Sequence, residues 1–257
     1  MPATRSFRRH IHSMLELRNY VALGNMIRNY PRFLDNLKRY LTTVGSYPYA
    51  IEIRTPIGAV APILYSYHDM LTANEIFCRL DYRADNTIKA VLDVGSNIGI
   101  SALYFLTRNS TSRCYLYEPD KRNTTKLRQN LKSFEGRYQL VEKAVSDQGG
   151  MVDFGIEETG RYGGIGLQLK ETIKIESLNI NDVIDEILAK EERIDVLKID
   201  TEGAEIRTIE SIAPRNIERI RRIYLEAVPT HDLLPHLFDQ IQYGGVCQLV
   251  RRNAQPL

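Results

Sequence analysis

Residues 91–99, VLDVGSNIG, restrict what this chain can fold into more than any other stretch. The apolar run of Val91, Leu92 and Val94 carries a single acid, Asp93, and then breaks into a loop with Gly95 and Gly99. Ile100, Leu103, Tyr104 and Leu106 follow at helical spacing. The stretch therefore predicts a buried strand, a tight turn and a helix. Glycine lets such a turn bend sharply and lets a ligand approach the backbone. The start of the helix offers free N–H groups to a carboxylate or another anion.

Two cofactor classes use this kind of turn. A dinucleotide site wants G-x-G-x-x-G, so that the pyrophosphate can approach. Here Asn97 stands where the second glycine belongs and Ile100 where the third belongs. The form D-x-G-x-N-x-G fits S-adenosylmethionine (SAM) better. SAM lacks a phosphate but has an amino-acid end whose ammonium needs a carboxylate. A glycine turn that binds nothing is the plain structural alternative.

A chain of 257 residues can bury a full core, and one domain with an extension is the first expectation. The net charge of +2 makes no general case for nucleic acid. Residues 1–50 nevertheless hold seven Arg and one Lys against Glu16 and Asp35, a net +6, which leaves −4 for the rest. A basic arm like this is ordinarily a solvated helix face, and it could also meet an acidic partner or an anionic membrane. Cys78, Cys114 and Cys247 are odd in number and far apart. They argue against a disulfide framework or a zinc site and for a reducing, cytoplasmic compartment. No apolar run is long enough to cross a membrane, and no secretory leader is legible.

Along the chain, residues 10–28 place Met14, Leu17, Val21 and Ile27 on one helical stripe. Pro31 suits the first turn of a second helix with Phe33, Leu34, Leu37, Tyr40 and Leu41 on its apolar face. These helices are expected to pack on the body or on a second subunit, so a homodimer through them is one reading. Residues 50–66 alternate around Pro56-Ile57-Gly58 and predict a β-hairpin, followed by a helix over 72–80. After the glycine turn come a strand at 113–117, a polar helix from Pro119 to 131 and a strand at 138–147. Residues 151–176 read as an inserted glycine-rich hairpin whose tip at 155–166, with Gly160, could close as a lid. A helix at 179–190, a strand at 194–200, a further helix, a strand at 222–227, a helix at 231–241 and a strand at 246–250 complete the chain. Alternating elements of this kind predict a doubly wound, mostly parallel α/β sheet. The expected division is a basic helical extension over 1–48 and a catalytic domain over 49–257.

Ligands in such sheets gather at the carboxyl ends of the strands. The first end supplies Asp93, Gly95, Ser96, Asn97 and Gly99. The second supplies Glu118, 25 residues after Asp93, where an acid can accept both ribose hydroxyls. The third supplies Ala144 and Asp147, a backbone N–H and a carboxylate for the adenine edge. The fourth supplies Lys198, Asp200, Glu202 and Glu205. Buried charges need partners, so these groups imply a function or an ion pair between Lys198 and Asp200, which share a strand face. Acids near one strand end could also hold Mg²⁺, a lesser alternative, and no metal ligand set is assigned. The fifth supplies Glu226, with His231 on the loop beyond.

Four stretches carry a family resemblance: LDVGSNIG (92–99), YEPD (117–120), AVSDQGG (144–150) and above all LKIDTEGAE (197–205). The last is similar to the I-K-x-D-x-E-G-x-E signature of the FkbM family of SAM-dependent methyltransferases. RTPIGAV (54–60) and HDMLTANEIFCRLDY (68–82) also resemble that family's entry hairpin and helix. The resemblance covers about residues 50–250. It implies a class I, Rossmann-like methyltransferase fold and SAM as cofactor, with S-adenosylhomocysteine as product. It further implies O-methylation of a sugar, glycan or other natural-product hydroxyl. The usual final antiparallel strand looks to be missing or supplied elsewhere, since the chain ends soon after 250. Such a reaction needs alignment and a proton acceptor; His231, Asp200 and Glu202 are the candidates, with Lys198 beside them. A nucleic-acid methyltransferase is the runner-up, disfavoured by the acidic body. A non-catalytic SAM-fold scaffold recruited by its basic helices is the third reading.

Overall fold

The computed structural model describes residues 17–157, 163–166 and 171–252. By its internal contacts the chain divides into two units, Met1–Arg83 and Ala84–Leu257. Residues 49–83, expected to belong with the catalytic domain, share the first unit with the basic helices.

The first unit holds helix α1 (Leu17–Asn29), helix α2 (Phe33–Thr42), strands β1 (Tyr49–Ala50), β2 (Ile53–Thr55), β3 (Gly58–Val60) and β4 (Ile63–Leu64), and helix α3 (Tyr67–Phe77). The hairpin falls where expected. Thr55 pairs with Gly58 across Pro56 and Ile57, and β1 pairs with β4 outside it. Helix α3 starts earlier than the expected residue 72. Ser66 accepts from the Asp69 N–H while the Asp69 carboxylate accepts from the Ser66 N–H, and this reciprocal capping fixes the start at Tyr67. Pro31 precedes α2 rather than opening it, since Arg32 is the cap. The inward face of α1 also differs from expectation. Met26 and Tyr30 are buried, while Val21 and Ile27 are exposed. Met14 lies outside the described residues.

The second unit is built on a seven-stranded sheet. Its members are β5 (Ala90–Val94), β6 (Arg113–Tyr117), β7 (Tyr138–Val141), β12 (Val196–Ile199), β13 (Arg222–Leu225), β14 (Phe238–Tyr243) and β15 (Val246–Arg251). The spatial order is β14-β15-β13-β12-β5-β6-β7, and only β15 runs against its neighbours. This is the mostly parallel α/β arrangement expected. Helices α4 (Ile100–Leu106), α5 (Lys121–Asn130), α6 (Ile180–Leu188), α7 (Glu205–Glu210) and α8 (Pro214–Ile217) connect the strands. Leu92, Val94, Leu197 and Ile199 point to one face and pack in a core with Val183, Ile184 and Ile209. Strand alternation then sends Asp93 and Lys198 to the other face.

Four sequence expectations change here. The strand expected at 138–147 is two strands. β7 ends at Val141 in the main sheet, and β8 (Ala144–Ser146) belongs to a second sheet with β9 (Gly150–Ile156), β10 (Gly163–Ile165) and β11 (Glu171–Asn179), in the order β10-β9-β11-β8. The inserted hairpin is this sheet's β9–β11 pair; Gly160 at its expected tip lies outside the described residues. Residues 231–241 do not form the expected helix. Pro235 cannot sit in a helix interior, and Gly244-Gly245 turns β14 back into β15. The final antiparallel strand is therefore present: β15 fills that place, between β13 and β14. Helix α5 begins at Lys121 with Asp120 as its cap, leaving Pro119 outside it.

Candidate functional site

Parallel pairing in register sets Lys198 on β12 directly beside Asp93 on β5. Both are buried. The Lys198 ammonium lies 3.1 Å from Asp93 Oδ1 and 3.2 Å from Asp200 Oδ2, and it donates to the Gly95 carbonyl at 2.8 Å. The Ser101 hydroxyl, from the first turns of α4, donates to Asp93 Oδ2 at 2.5 Å. Burial works against the Lys198 charge, but Asp93, Asp200 and Glu226 outweigh it and hold its pKa above the ordinary lysine value. Lys198 is thus a fixed cation and no proton acceptor. Asp93 is fully buried, so it supports the turn from beneath and presents no oxygen at the surface.

The turn itself is locked on two sides. The Gly95 and Ser96 N–H groups donate to the Tyr117 carbonyl at 2.9 and 3.1 Å. The Ser96 hydroxyl donates to the Asp93 carbonyl at 2.8 Å. Gly95 has φ +81° and Asn97 has φ +47°. A Cβ on Gly95 would stand 1.9 Å from the Asp200 carbonyl oxygen, so only glycine fits between the first and fourth strand ends. Gly99, at φ +85°, caps α4.

Glu118 sits at the end of β6 with both oxygens engaged. Oε2 accepts from the Asn97 N–H at 2.9 Å, and Oε1 accepts from the Asp120 N–H at 3.0 Å and from the Asn123 amide at 3.4 Å. Burial pushes its pKa up to about 7, against the pull of these donors. The turn and the second-strand acid are therefore joined by a direct bond.

At the fourth strand end, Glu205 accepts from the Thr201 N–H at 2.9 Å and from the Gly203 N–H at 2.9 and 3.1 Å. One of the acids weighed for Mg²⁺ is thereby committed to its own loop. Among the described residues no group of three or more His, Cys, Asp or Glu is gathered to hold a metal ion. Glu202 has φ +53° and is partly exposed. Asp147 lies 3.9 Å from Arg207 of α7, and its carbonyl accepts from Asn179; Ala144 is buried in β8. His231 is not brought into the Lys198–Asp200 cluster. It is exposed, and its ring bonds Glu210 at 2.9 Å.

Sequence reasoning missed Ser101, Asp120 and Asn123. Asn123 falls five residues after Glu118, in the first turn of the next helix, and that spacing was the available signal. Two observations test whether SAM fits. Glu118 retains acceptor capacity at a strand end, which suits a ribose diol. The Thr201 hydroxyl is buried beside Asp200 and has no hydrogen-bond partner; a group of this kind at a site wants a ligand donor or acceptor. The residues fit.

A family model described as the methyltransferase FkbM domain matches residues 93–245. The 2-O-methyltransferase NoeI of Sinorhizobium fredii is 28% identical over 154 residues, covering 53% of this chain and 62% of that protein. The AMB antimetabolite synthetase AmbE of Pseudomonas aeruginosa is 24% identical over 231 residues, covering 71% of this chain and 10% of that protein. The chain thus spans less than two thirds of the length of these curated relatives. A solved structure of M. capricolum TrmK in complex with S-adenosyl-homocysteine is 14% identical, with a TM-score of 0.36, covering 68% of this chain and 66% of that one.

Proposed function

The chain belongs to the FkbM methyltransferase family, and on that footing we propose that it is a SAM-dependent O-methyltransferase acting on a hydroxyl of a sugar, glycan or other natural product. The observation that carries the reading is the bond from the Asn97 N–H to Glu118, 2.9 Å long, which makes one site of the glycine turn and the second-strand acid. The likeness to NoeI, a 2-O-methyltransferase, supports a hydroxyl acceptor. Three buried free thiols, Cys78, Cys114 and Cys247, support a cytoplasmic place of action.

In this reading residues 95–99 and Glu118 hold the donor, with Thr201 next to Asp200 at the fourth strand end. SAM supplies, when bound, a sulfonium methyl group that is already electrophilic. The protein's own tasks are alignment and acceptance of the hydroxyl proton. Lys198 fixes Asp200 at 3.2 Å, beside the glycine turn, and a quarter of the Asp200 side chain remains exposed. Asp200 is therefore the favoured proton acceptor, ahead of Glu202 and of the outlying His231. Asp200→Asn is expected to lower kcat by about 10²–10⁴-fold, while His231→Ala stays within about threefold of wild type. A large loss in His231→Ala with an active Asp200→Asn would reverse the assignment. A nucleic-acid acceptor would show itself as strong, salt-sensitive RNA affinity.

Glu118 makes donor binding depend on pH. Its ionised form keeps an acceptor position on Oε2 for a ribose hydroxyl, which the protonated form can lose. With a pKa of about 7, only about 3% is ionised at pH 5.5. Affinity for S-adenosylhomocysteine is expected to rise by up to about 30-fold from pH 5.5 to pH 8. Titration calorimetry across that range checks it. A flat profile would remove Glu118 from the donor site.

A further inference from the structure

Helix α1 turns Met26 inward together with its amides and leaves Tyr20, Val21, Leu23 and Ile27 exposed, which an ordinary surface helix would bury. Asn25 and Asn29, one turn apart, donate to the carbonyls of Cys78 and Phe77 at 2.7 and 2.9 Å. They thereby satisfy the C-terminal carbonyls of α3, which have no partner within their own helix. The opposite side carries Tyr20, Leu23 and Ile27, exposed by 63%, 39% and 55%, and Val21, 54% exposed, flanks the amides one turn before Asn25. Arg28 stands seven residues after Val21, on the same side. Helix α2 repeats the pattern. Leu34 and Leu41 are 76% and 68% exposed, and Lys38 lies between them on that face.

The charge on this surface is mostly positive. Arg28, Arg32, Lys38 and Arg54 are exposed, against Asp35 and Glu52, and Asp35 is already bonded by Arg39 at 3.4 Å. We propose that the outward face of α1 and α2 docks on an anionic lipid surface. A face of aliphatic and aromatic side chains interleaved with cations is what lies in a bilayer interface. Among the described residues no helix is long and apolar enough to cross a membrane, so the contact is peripheral. A second copy fits the face less well, because a twofold contact would bring the same cation-rich face together twice. Nucleic acid would leave the aliphatic residues without a partner, since it binds through phosphates and stacked bases.

The test is co-flotation of the full chain with vesicles. One set is pure phosphatidylcholine and the other contains 30% phosphatidylglycerol. Partition is expected on the anionic vesicles, at least about 10-fold above the neutral ones, and is lost in high salt. Each cation near such a surface is worth about fivefold. Arg28→Glu with Arg32→Glu is therefore expected to lower partition by at least about 25-fold. Val21→Ser with Ile27→Ser is expected to lower it as well. Both variants change exposed residues, and their circular dichroism and unfolding midpoints should match wild type. Absence of vesicle binding overturns the proposal, as does binding that both variants leave unchanged. Sedimentation that shows a dimer lost in Val21→Ser with Ile27→Ser, without lipid binding, assigns the face to a second copy instead.

Discussion

Lys198→Met is expected to lower the unfolding midpoint by about 6–20 °C, as a loss of roughly 3–5 kcal/mol in a domain of this size. The reason is the fully buried Asp93 carboxylate, which the Lys198 ammonium approaches to 3.1 Å. Removing the cation leaves that charge in a low-dielectric interior with the Ser101 hydroxyl as its remaining hydrogen-bond donor. The methionine also abandons the Gly95 carbonyl, so the glycine turn loosens together with the core. The defect has a pH signature. Burial raises the Asp93 pKa, and without the ammonium to oppose it the carboxyl protonates more readily. A carboxyl raised in the folded state contributes stability at low pH that is lost as pH rises through its folded pKa, so the deficit is expected to grow from pH 5 to pH 8. Lys198→Met combined with Asp93→Asn removes both charges and should recover most of the midpoint, while methyl transfer stays impaired. If the double variant is as unstable as the single one, the ion pair is not what holds these strands.

Gly95→Ala is expected to be nearly as damaging, by about 2–4 kcal/mol, and to weaken S-adenosylhomocysteine at least about 100-fold. A non-glycine residue at φ +81° is strained. More important, its Cβ would meet the backbone carbonyl of Asp200 at 1.9 Å. Backbone cannot rotate aside as a side chain can, so the first and fourth strand ends must separate. Gly99→Ala provides the comparison. Its Cβ would meet the side chains of Leu127 and Leu131 at 3.0 and 3.4 Å, which can yield. Equal unfolding midpoints and equal affinities for the two variants would show that the close approach to Asp200 is unimportant.

What could be read from sequence was local. Asp93 through Gly99 announce strand, turn and helix because hydrophobic period and glycine act within ten residues. The pairing of Lys198 with an acid followed from strand alternation, which placed Asp200 on its face. That Asp93 would be the closer partner depends on the register of β5 against β12, more than a hundred residues apart. The same distance effect explains the misread elements. Residues 138–147 look like one strand, and they divide because Val141 pairs with β6 while Ala144 pairs with Ser177 of β11. Leu233, Leu234, Leu237, Phe238 and Ile241 imitate a helical stripe. Phe238 and Ile241 instead enter β14, which pairs along its length with β15. In α1, Val21 and Ile27 are exposed while the amides of Asn25 and Asn29 turn to the end of α3, about fifty residues downstream.

The central claim, that residues 95–99 and Glu118 form one SAM site, is tested most directly by thermal unfolding with and without S-adenosylhomocysteine. At 100 times its dissociation constant the ligand adds about 2.7 kcal/mol, which raises the midpoint by roughly 5–11 °C for a domain of this size. That shift is expected in the wild-type chain and is lost in Glu118→Ala, with the ligand-free fold intact. No shift at saturating ligand, or an equal shift in Glu118→Ala, would contradict the claim.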